Sequence, residues 1–266
     1  CKTVQKEWVR AEELTPGDRI VLNDHRDFSG WEGKYGANEG YLLGLLVGDG
    51  VLKEDKAVIS CWPRAEAANG DGLPQSGIMH SALKCAHGLA HRRDFAGWQK
   101  VEAWGEYRLS LGSIKSVCLD LDMSPGNKRI TPELEECSSD FCASFLSGLF
   151  DADGSVQGSF AKGHSIRLAQ SDEHTLLAAQ RMLLRLGIKS VIYQNRRPEG
   201  ETSLPDGKGG RRNYPVRAQH ELVISKSNME VFARRIGFRD EDKNSRLEQV
   251  LKGYTRGVNR ERFLAT

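Results

Sequence analysis

The segment Leu42-Leu43-Gly44-Leu45-Leu46-Val47-Gly48-Asp49-Gly50 returns later in the chain as Leu146-Ser147-Gly148-Leu149-Phe150-Asp151-Ala152-Asp153-Gly154. A repeat of this kind constrains the fold more than any average property, because two parts of the chain must be built alike and meet at equivalent points. In both copies the large apolar residues fall at helical spacing on one side. Small residues recur on the other side, Gly44 and Gly48 in the first copy, Gly148 and Ala152 in the second. Small residues let two helix backbones approach closely. Asp49 and Asp153 then sit together at the carboxyl-terminal ends of two helices, where the macrodipole disfavours negative charge and each carboxylate repels the other. A cation should answer them. Two hard carboxylates beside the exposed carbonyls of Gly48 and Ala152 suit Mg²⁺, which completes its shell with waters and the phosphate oxygens of a substrate. Taken singly, either copy also reads as a buried apolar helix closed by a glycine. Two copies with acid and glycine in register do not.

These residues resemble the LAGLIDADG homing endonucleases, and the doubled motif resembles their single-chain, pseudo-symmetric members. The resemblance implies an α+β fold of two αββαββα half-domains forming a β-sheet saddle around double-stranded DNA. It further implies a monomer with one active site per motif, centred on Asp49 and Asp153. Val47 departs from the pattern where the second copy has Asp151, a position expected to support the helix end. In the family a lysine precedes an Ile-Pro-like segment. Lys128 of Asn127-Lys128-Arg129-Ile130-Thr131-Pro132 matches it, with Lys243 as its counterpart in the second half. A polar residue flanks each site in the family, a place that Gln170 fills and that Cys61 takes in the first half. The alternative use of the same scaffold is a nucleic-acid-binding protein without nuclease activity, a regulator or an intron maturase. Clustered carboxylates facing phosphate have no use in binding alone, and favour cleavage.

The pattern along the chain agrees with this order. After the second motif, 155–160 and 164–170 read as strands joined by a turn at 161–163. A helix opened by Ser171-Asp172-Glu173 runs to Gly187. Residues 188–197 and 214–225 read as two more strands, separated by a Gly-, Pro- and charge-rich stretch, Pro198–Asn213, that reads as a long mobile loop. Helices follow from Ser227 to Gly237 and over 243–252. In the first half, 51–62 is strand-like, 77–90 helical, 95–111 a hairpin and 112–121 helical. The expected boundaries are 39–142 and 143–266 for the two half-domains.

Composition adds the charge balance. Residues 1–142 carry 17 basic and 22 acidic side chains, whereas residues 143–266 carry 21 and 14, so positive charge concentrates in the second half, as a phosphate-binding face requires. Candidate DNA contacts on strands and loops are Lys53, Lys56, Arg64, Lys100 and Arg108 in the first half. In the second they are Lys162, Arg167, Arg196, Arg197, Lys208, Arg211, Arg212 and Arg217. The 6 cysteines form no CxxC pair and read as reduced thiols of an intracellular protein, cytoplasmic or nucleoid-associated. Cys85, His87 and His91, with Cys61, have zinc-ligand chemistry but read as helix packing. No apolar run reaches ~18 residues, so no membrane span is expected.

Residues 1–38 stand outside the repeat. Trp8-Val9-Arg10-Ala11-Glu12-Glu13-Leu14-Thr15-Pro16-Gly17-Asp18-Arg19-Ile20 resembles the segment of an intein splicing domain that leads into an inserted endonuclease. The histidine block and terminal His-Asn of a splicing element are absent from this sequence, which implies an excised, intein-derived endonuclease with Cys1 inactive in splicing. The same residues also read as a surface turn at Pro16-Gly17-Asp18.

Overall fold

The computed structural model describes residues 7–18, 20, 30–62, 77–101, 105–159, 163–205 and 210–253, without the side chains of 204 and 205. Cys1, Arg64, Lys162 and Lys208 lie outside the described residues.

The repeated motifs form helices α1 (Ala37–Asp49) and α5 (Ser139–Asp153), which pack side by side at the centre. Each begins where a side chain satisfies free backbone amides. The Glu39 carboxylate accepts from Gly36 N at 3.2 Å ahead of α1, and Ser138 Oγ accepts from Phe141 N at 3.1 Å in α5. The small-residue stripes meet. A Cβ on Gly44 would lie 2.1 Å from the Phe145 carbonyl oxygen, and one on Gly148 would lie 2.3 Å from that of Tyr41. The backbones therefore touch, as the spacing predicts. The chain segments before the two helices are also stitched together, with Trp31 Nε1 donating to Cys137 O at 2.8 Å and Ser138 N to Lys34 O at 3.1 Å.

Each helix turns directly into a strand. Gly50 (φ −112°) and Gly154 (φ −83°) are extended, so neither is the left-handed glycine cap of an ordinary helix end. Glycine is needed for another reason: a Cβ would meet the Leu46 carbonyl oxygen at 2.8 Å and that of Phe150 at 2.5 Å.

The first half continues with β1 (Gly50–Leu52), β2 (Ala57–Cys61), α2 (Gly77–His87), β3 (Trp98–Val101), β4 (Glu106–Leu111), α3 (Gly112–Asp120) and the short α4 (Pro132–Glu135). The second has β5 (Gly154–Ser159), β6 (Gly163–Gln170), α6 (Glu173–Arg185), β7 (Val191–Arg197), β8 (Gly200–Pro205), β9 (Arg211–Val216), β10 (Gln219–Ser225), α7 (Asn228–Arg235) and α8 (Glu241–Lys252). The antiparallel sheets have orders β1-β2-β4-β3 and β5-β6-β10-β7, the same topology twice, which establishes the α+β repeat. One face of each sheet joins a continuous core: Ile59, Leu109, Ile166, Leu168, Leu222 and Ile224 are buried together with Leu42, Phe145 and Phe150. Alternate positions such as Arg108, Arg167, Glu221 and Tyr193 lie on the uncovered faces.

The stretch 198–213 departs from the expected loop. β8 and β9 pair as a two-stranded ribbon, and 214–225 is two strands separated by Arg217 and Ala218. Its register continues that of the sheet. Arg197 faces Gln219, and three residues further along each strand Gly200 faces Val216. The ribbon is thus the outward extension of the β7–β10 pair, bulged where Asn195 takes φ 49° and donates its N–H to His220 Nδ1 at 3.2 Å.

Candidate active site

Asp49 ends α1 and Asp153 ends α5, so the contact between the two helices delivers both acids to one place. The Asp153 carboxylate packs over Gly48, with Oδ2 3.3 Å from where a Cβ on that glycine would lie. Burial first, and then the nearby Asp49 charge, raise the Asp153 pKa above the usual carboxylate range. Gln170 opposes the rise, donating from Nε2 to Asp153 Oδ2 at 2.6 Å.

The cation demanded by the helix ends is supplied by the chain. Lys128 Nζ donates to the carbonyls of Leu46 (3.1 Å), Gly48 (3.2 Å) and Gly50 (2.6 Å) at the end of α1. Lys243 Nζ does the same at α5, donating to Phe150 O (3.2 Å), Asp151 O and Ala152 O (3.5 Å). Each ammonium answers the negative helix end and its last carbonyls together. Burial lowers both lysine pKa values, and the charges of Asp49 and Asp153 act against that in each case. The carbonyls of Gly48 and Ala152, expected to face a metal ion, therefore face an ammonium.

The flanking positions are not equivalent. β2 and β6 end at matching registers, Ile59 opposite Gly50 and Leu168 opposite Gly154, so Cys61 occupies the place of Gln170. Its thiol is pushed up to about 11 by burial and by the charges of Asp49 and Asp240, and stays protonated at neutral pH. The other departure, Val47 against Asp151, is larger. Asp151 reaches its helix end only through neighbouring elements. Its buried carboxylate accepts from Tyr41 Oη (2.8 Å), Arg239 N (3.0 Å) and Asp240 N (3.1 Å), and burial pushes its pKa up to about 6. Arg239 in turn lies over the Tyr41 ring, 3.8 Å from its centroid, and donates to Cys85 Sγ at 3.3 Å. Sequence spacing gives no signal for these contacts between distant segments.

Other expected residues are distributed as follows. Arg167 lies on the uncovered face of the second sheet, paired with Glu221 at 3.1 Å, and Arg196 reaches the same carboxylate at 3.6 Å. Arg108 pairs with Glu106 at 2.7 Å on the first sheet. Lys53 and Lys56 flank the turn after β1, with Lys56 3.7 Å from Asp55. Lys100 shares the strand parity of buried Trp98, the covered side, while its neighbour Gln99 faces Arg108 on the uncovered side. Arg197, Arg211, Arg212 and Arg217 are exposed on and beside the ribbon. The five described cysteines are free, and the rings of His87, His91 and Phe95 pack edge-to-face or tilted against one another with centroids 5.1 to 5.6 Å apart. Among the described residues no cluster of three metal-binding side chains forms, and no helix is long and apolar enough to cross a membrane. Two carboxylates without a third protein ligand fit a hard ion that relies on water and substrate oxygens, and do not fit zinc.

Residues 140–237 match the family described as LAGLIDADG-like domain. The ribonucleoside-diphosphate reductase NrdEB subunit alpha of Bacillus subtilis (strain 168) is 25% identical over 232 residues, 83% of this chain and 20% of that protein. The glutamine–fructose-6-phosphate aminotransferase (isomerizing) of Methanocaldococcus jannaschii is 29% identical over 127 residues, 47% of this chain and 10% of that protein. The chain thus spans a fifth or less of the length of these relatives. Among solved structures, I-DmoI in complex with DNA and Mn is 17% identical, with 76% of this chain and 96% of that chain covered and a TM-score of 0.45. Full-length DUF199/WhiA from Thermatoga maritima is 16% identical, with 89% and 67% covered and a TM-score of 0.46. The matched stretch runs from the second motif helix through the sheet that follows it to Gly237.

Proposed function

We propose that the chain is a site-specific DNA endonuclease that hydrolyses both strands of a long asymmetric target with divalent metal ions, Mg²⁺ being the natural candidate. The observation that carries this reading is the doubled arrangement at the helix ends, Asp49 with Lys128 and Asp153 with Lys243. A nucleic-acid-binding surface gains nothing from carboxylates aimed at phosphate, whereas hydrolysis needs them. Asp49 and Asp153 would hold the ions, which activate water and neutralise the phosphoryl oxygens and the leaving 3′ oxygen. Gln170 holds Asp153 through its amide, and the two lysines would balance the negative charge that develops in the transition state. Residues 39–142 and 143–266 would each serve one strand.

An inserted, intein-derived origin, with 1–38 as the remnant of the splicing domain, has its own support. A segment shared by a reductase and an aminotransferase, enzymes of unrelated chemistry, reads as a module carried by either. The described residues between 7 and 20 are all exposed, Trp8 at 103% and Ile20 at 69% among them. The decisive assay is cleavage of a plasmid carrying the uninterrupted host-gene junction, with and without Mg²⁺. Double-strand cutting that requires the ion supports the reading. Tight binding without cutting in any divalent ion would replace it with a nuclease-inactive DNA-binding protein.

Replacing Lys128 or Lys243 by Met should slow cleavage by roughly ten- to a thousandfold, the range that single charge-stabilising groups supply. Single-turnover rates equal to wild type would return both lysines to a purely structural role at the helix ends.

The ribbon makes a separate prediction. Its outward residues have no covering layer, and an isolated two-stranded ribbon is marginal in water, so a partner surface suits it. Adjacent strand residues project to opposite faces, so Arg211 and Arg212 cannot both lie on one duplex. Alternation carried back from Gln219 puts Arg217 and Arg211 on the side of Glu221. Arg212 falls on the other side, its guanidinium 5.9 Å from the Tyr214 ring centroid. Arg211→Ala should reduce the slope of log affinity against log salt by roughly one unit, and Arg212→Ala should leave it unchanged. Titrations at several salt concentrations that show the opposite order would reverse the face assigned to DNA.

A further inference from the structure

We infer that Asp151 is a positioning residue for Lys243, a support that the first site lacks, so that the two strands of a target are cut by sites of unequal organisation. This rests on the nuclease reading for its strand-cutting consequence, though not for the positioning itself. The contacts form a closed circuit. The Asp151 carboxylate accepts from Arg239 N at 3.0 Å and Asp240 N at 3.1 Å, which fixes the segment leading into α8. Asp240 caps α8 by accepting from Lys243 N at 2.8 Å. The Lys243 side chain then returns to the carbonyls of Phe150, Asp151 and Ala152, the residues from which the circuit began. Tyr41 Oη, at 2.8 Å, holds the same carboxylate from the partner motif helix.

A carboxylate 2% exposed is a costly way to close a helix end, and it is understandable because its two oxygens gather two amides and a phenol at once. The first half solves the problem differently. Val47 has no acceptor to offer, and Lys128 arrives on an irregular segment followed by Thr131, which caps α4 and donates to Leu121 O at 2.7 Å. Among the described residues, the hydrogen bonds that link the lysine segment to the α1 carboxyl end come from the lysine itself. Gln170 against Cys61 repeats the inequality at the neighbouring position.

The experiment compares wild type with Asp151→Val, the residue of the first copy, and with Asp151→Asn, which keeps the shape and one acceptor. Two readouts need neither metal nor DNA: hydrogen exchange of the amides at 239 and 240, and acetic anhydride labelling of Lys243 against Lys128. Asp151→Val should speed exchange at both amides and raise Lys243 labelling severalfold with Lys128 unchanged, and Asp151→Asn should lie between. On DNA, the strand left uncut by Asp153→Asn should be cut roughly ten- to a hundredfold more slowly by Asp151→Val, the cost of misplacing a group by about 1 Å. The other strand keeps its rate and nicked product accumulates. In a Lys243→Met background Asp151→Val should slow cleavage no further. Unchanged labelling of Lys243, equal slowing of both strands, or additive effects in the double variant would overturn the assignment. A wild type that cuts no DNA would remove the nuclease reading alone, leaving exchange and labelling to decide the positioning. If Asp151→Val does not fold, the same measurements on Asp151→Asn decide it.

Discussion

Asp49→Asn and Asp153→Asn should each abolish double-strand cleavage while leaving DNA affinity in metal-free buffer unchanged. The substitution keeps the volume and one carbonyl oxygen, so the packing of α1 against α5 is undisturbed, and neither acid lies on the uncovered sheet faces. What disappears is the charge that holds a metal ion, a contribution of several kcal/mol to the transition state, or roughly a thousandfold or more in rate. Asp153→Asn carries an additional signature. Burial and the neighbouring Asp49 charge raise its pKa in the folded chain, so the folded state is penalised once pH exceeds the ordinary carboxylate value. The stability associated with this group is present at low pH and is lost as pH rises through the raised folded value. The neutral amide escapes that penalty, and the variant should be at least as heat-stable as wild type at pH 8. Its advantage should shrink towards pH 4. Efficient double-strand cutting by either variant would sink the assignment of the acids.

The sequence is informative where the cause of structure is local, and silent where it is not. Helix α6 could be bounded from Asp172 and Gly187 because cap and apolar period lie within the helix itself, and the meeting of α1 with α5 followed from glycine spacing. The ribbon was hidden for the opposite reason. Residues 200–203 and 211–216 have no buried face, so no alternation of apolar and polar residues marks them, and glycine and proline suggest a loop. Their register is imposed by the β7–β10 pair further down the chain. Asp151 shows the same limit in the site. Its motif position was legible, but its partners are Tyr41, Arg239 and Asp240, each brought to it by tertiary packing. Lys128 and Lys243 were reachable only through resemblance, since a lysine near a helix start is ordinarily a solvated charge.

Gly44→Ala should be among the most damaging single-methyl changes at the described glycines. The added Cβ would stand 2.1 Å from the Phe145 carbonyl oxygen and 2.8 Å from Leu149 N, and both are backbone atoms that no rotamer change can move. Relief requires the two helices to separate, and separation loosens every contact between α1 and α5 at once. Overpacking of this kind costs ~3 kcal/mol or more, against the ~1 kcal/mol that an exposed helical glycine gains on becoming alanine. For a chain of this size that amounts to a fall in Tm of roughly 10 °C. The site suffers with the fold, because the Asp153 carboxylate rests over Gly48 and moves away from Asp49 when α5 does. Gly112→Ala is the control. It opens α3 with nothing within 4 Å of the new Cβ, and should leave Tm unchanged or slightly raised. Thermal unfolding of the two variants beside wild type decides the matter: a Gly44→Ala protein that melts with wild type would mean that the motif helices do not pack backbone to backbone, and the doubled site would lose the contact that assembles it.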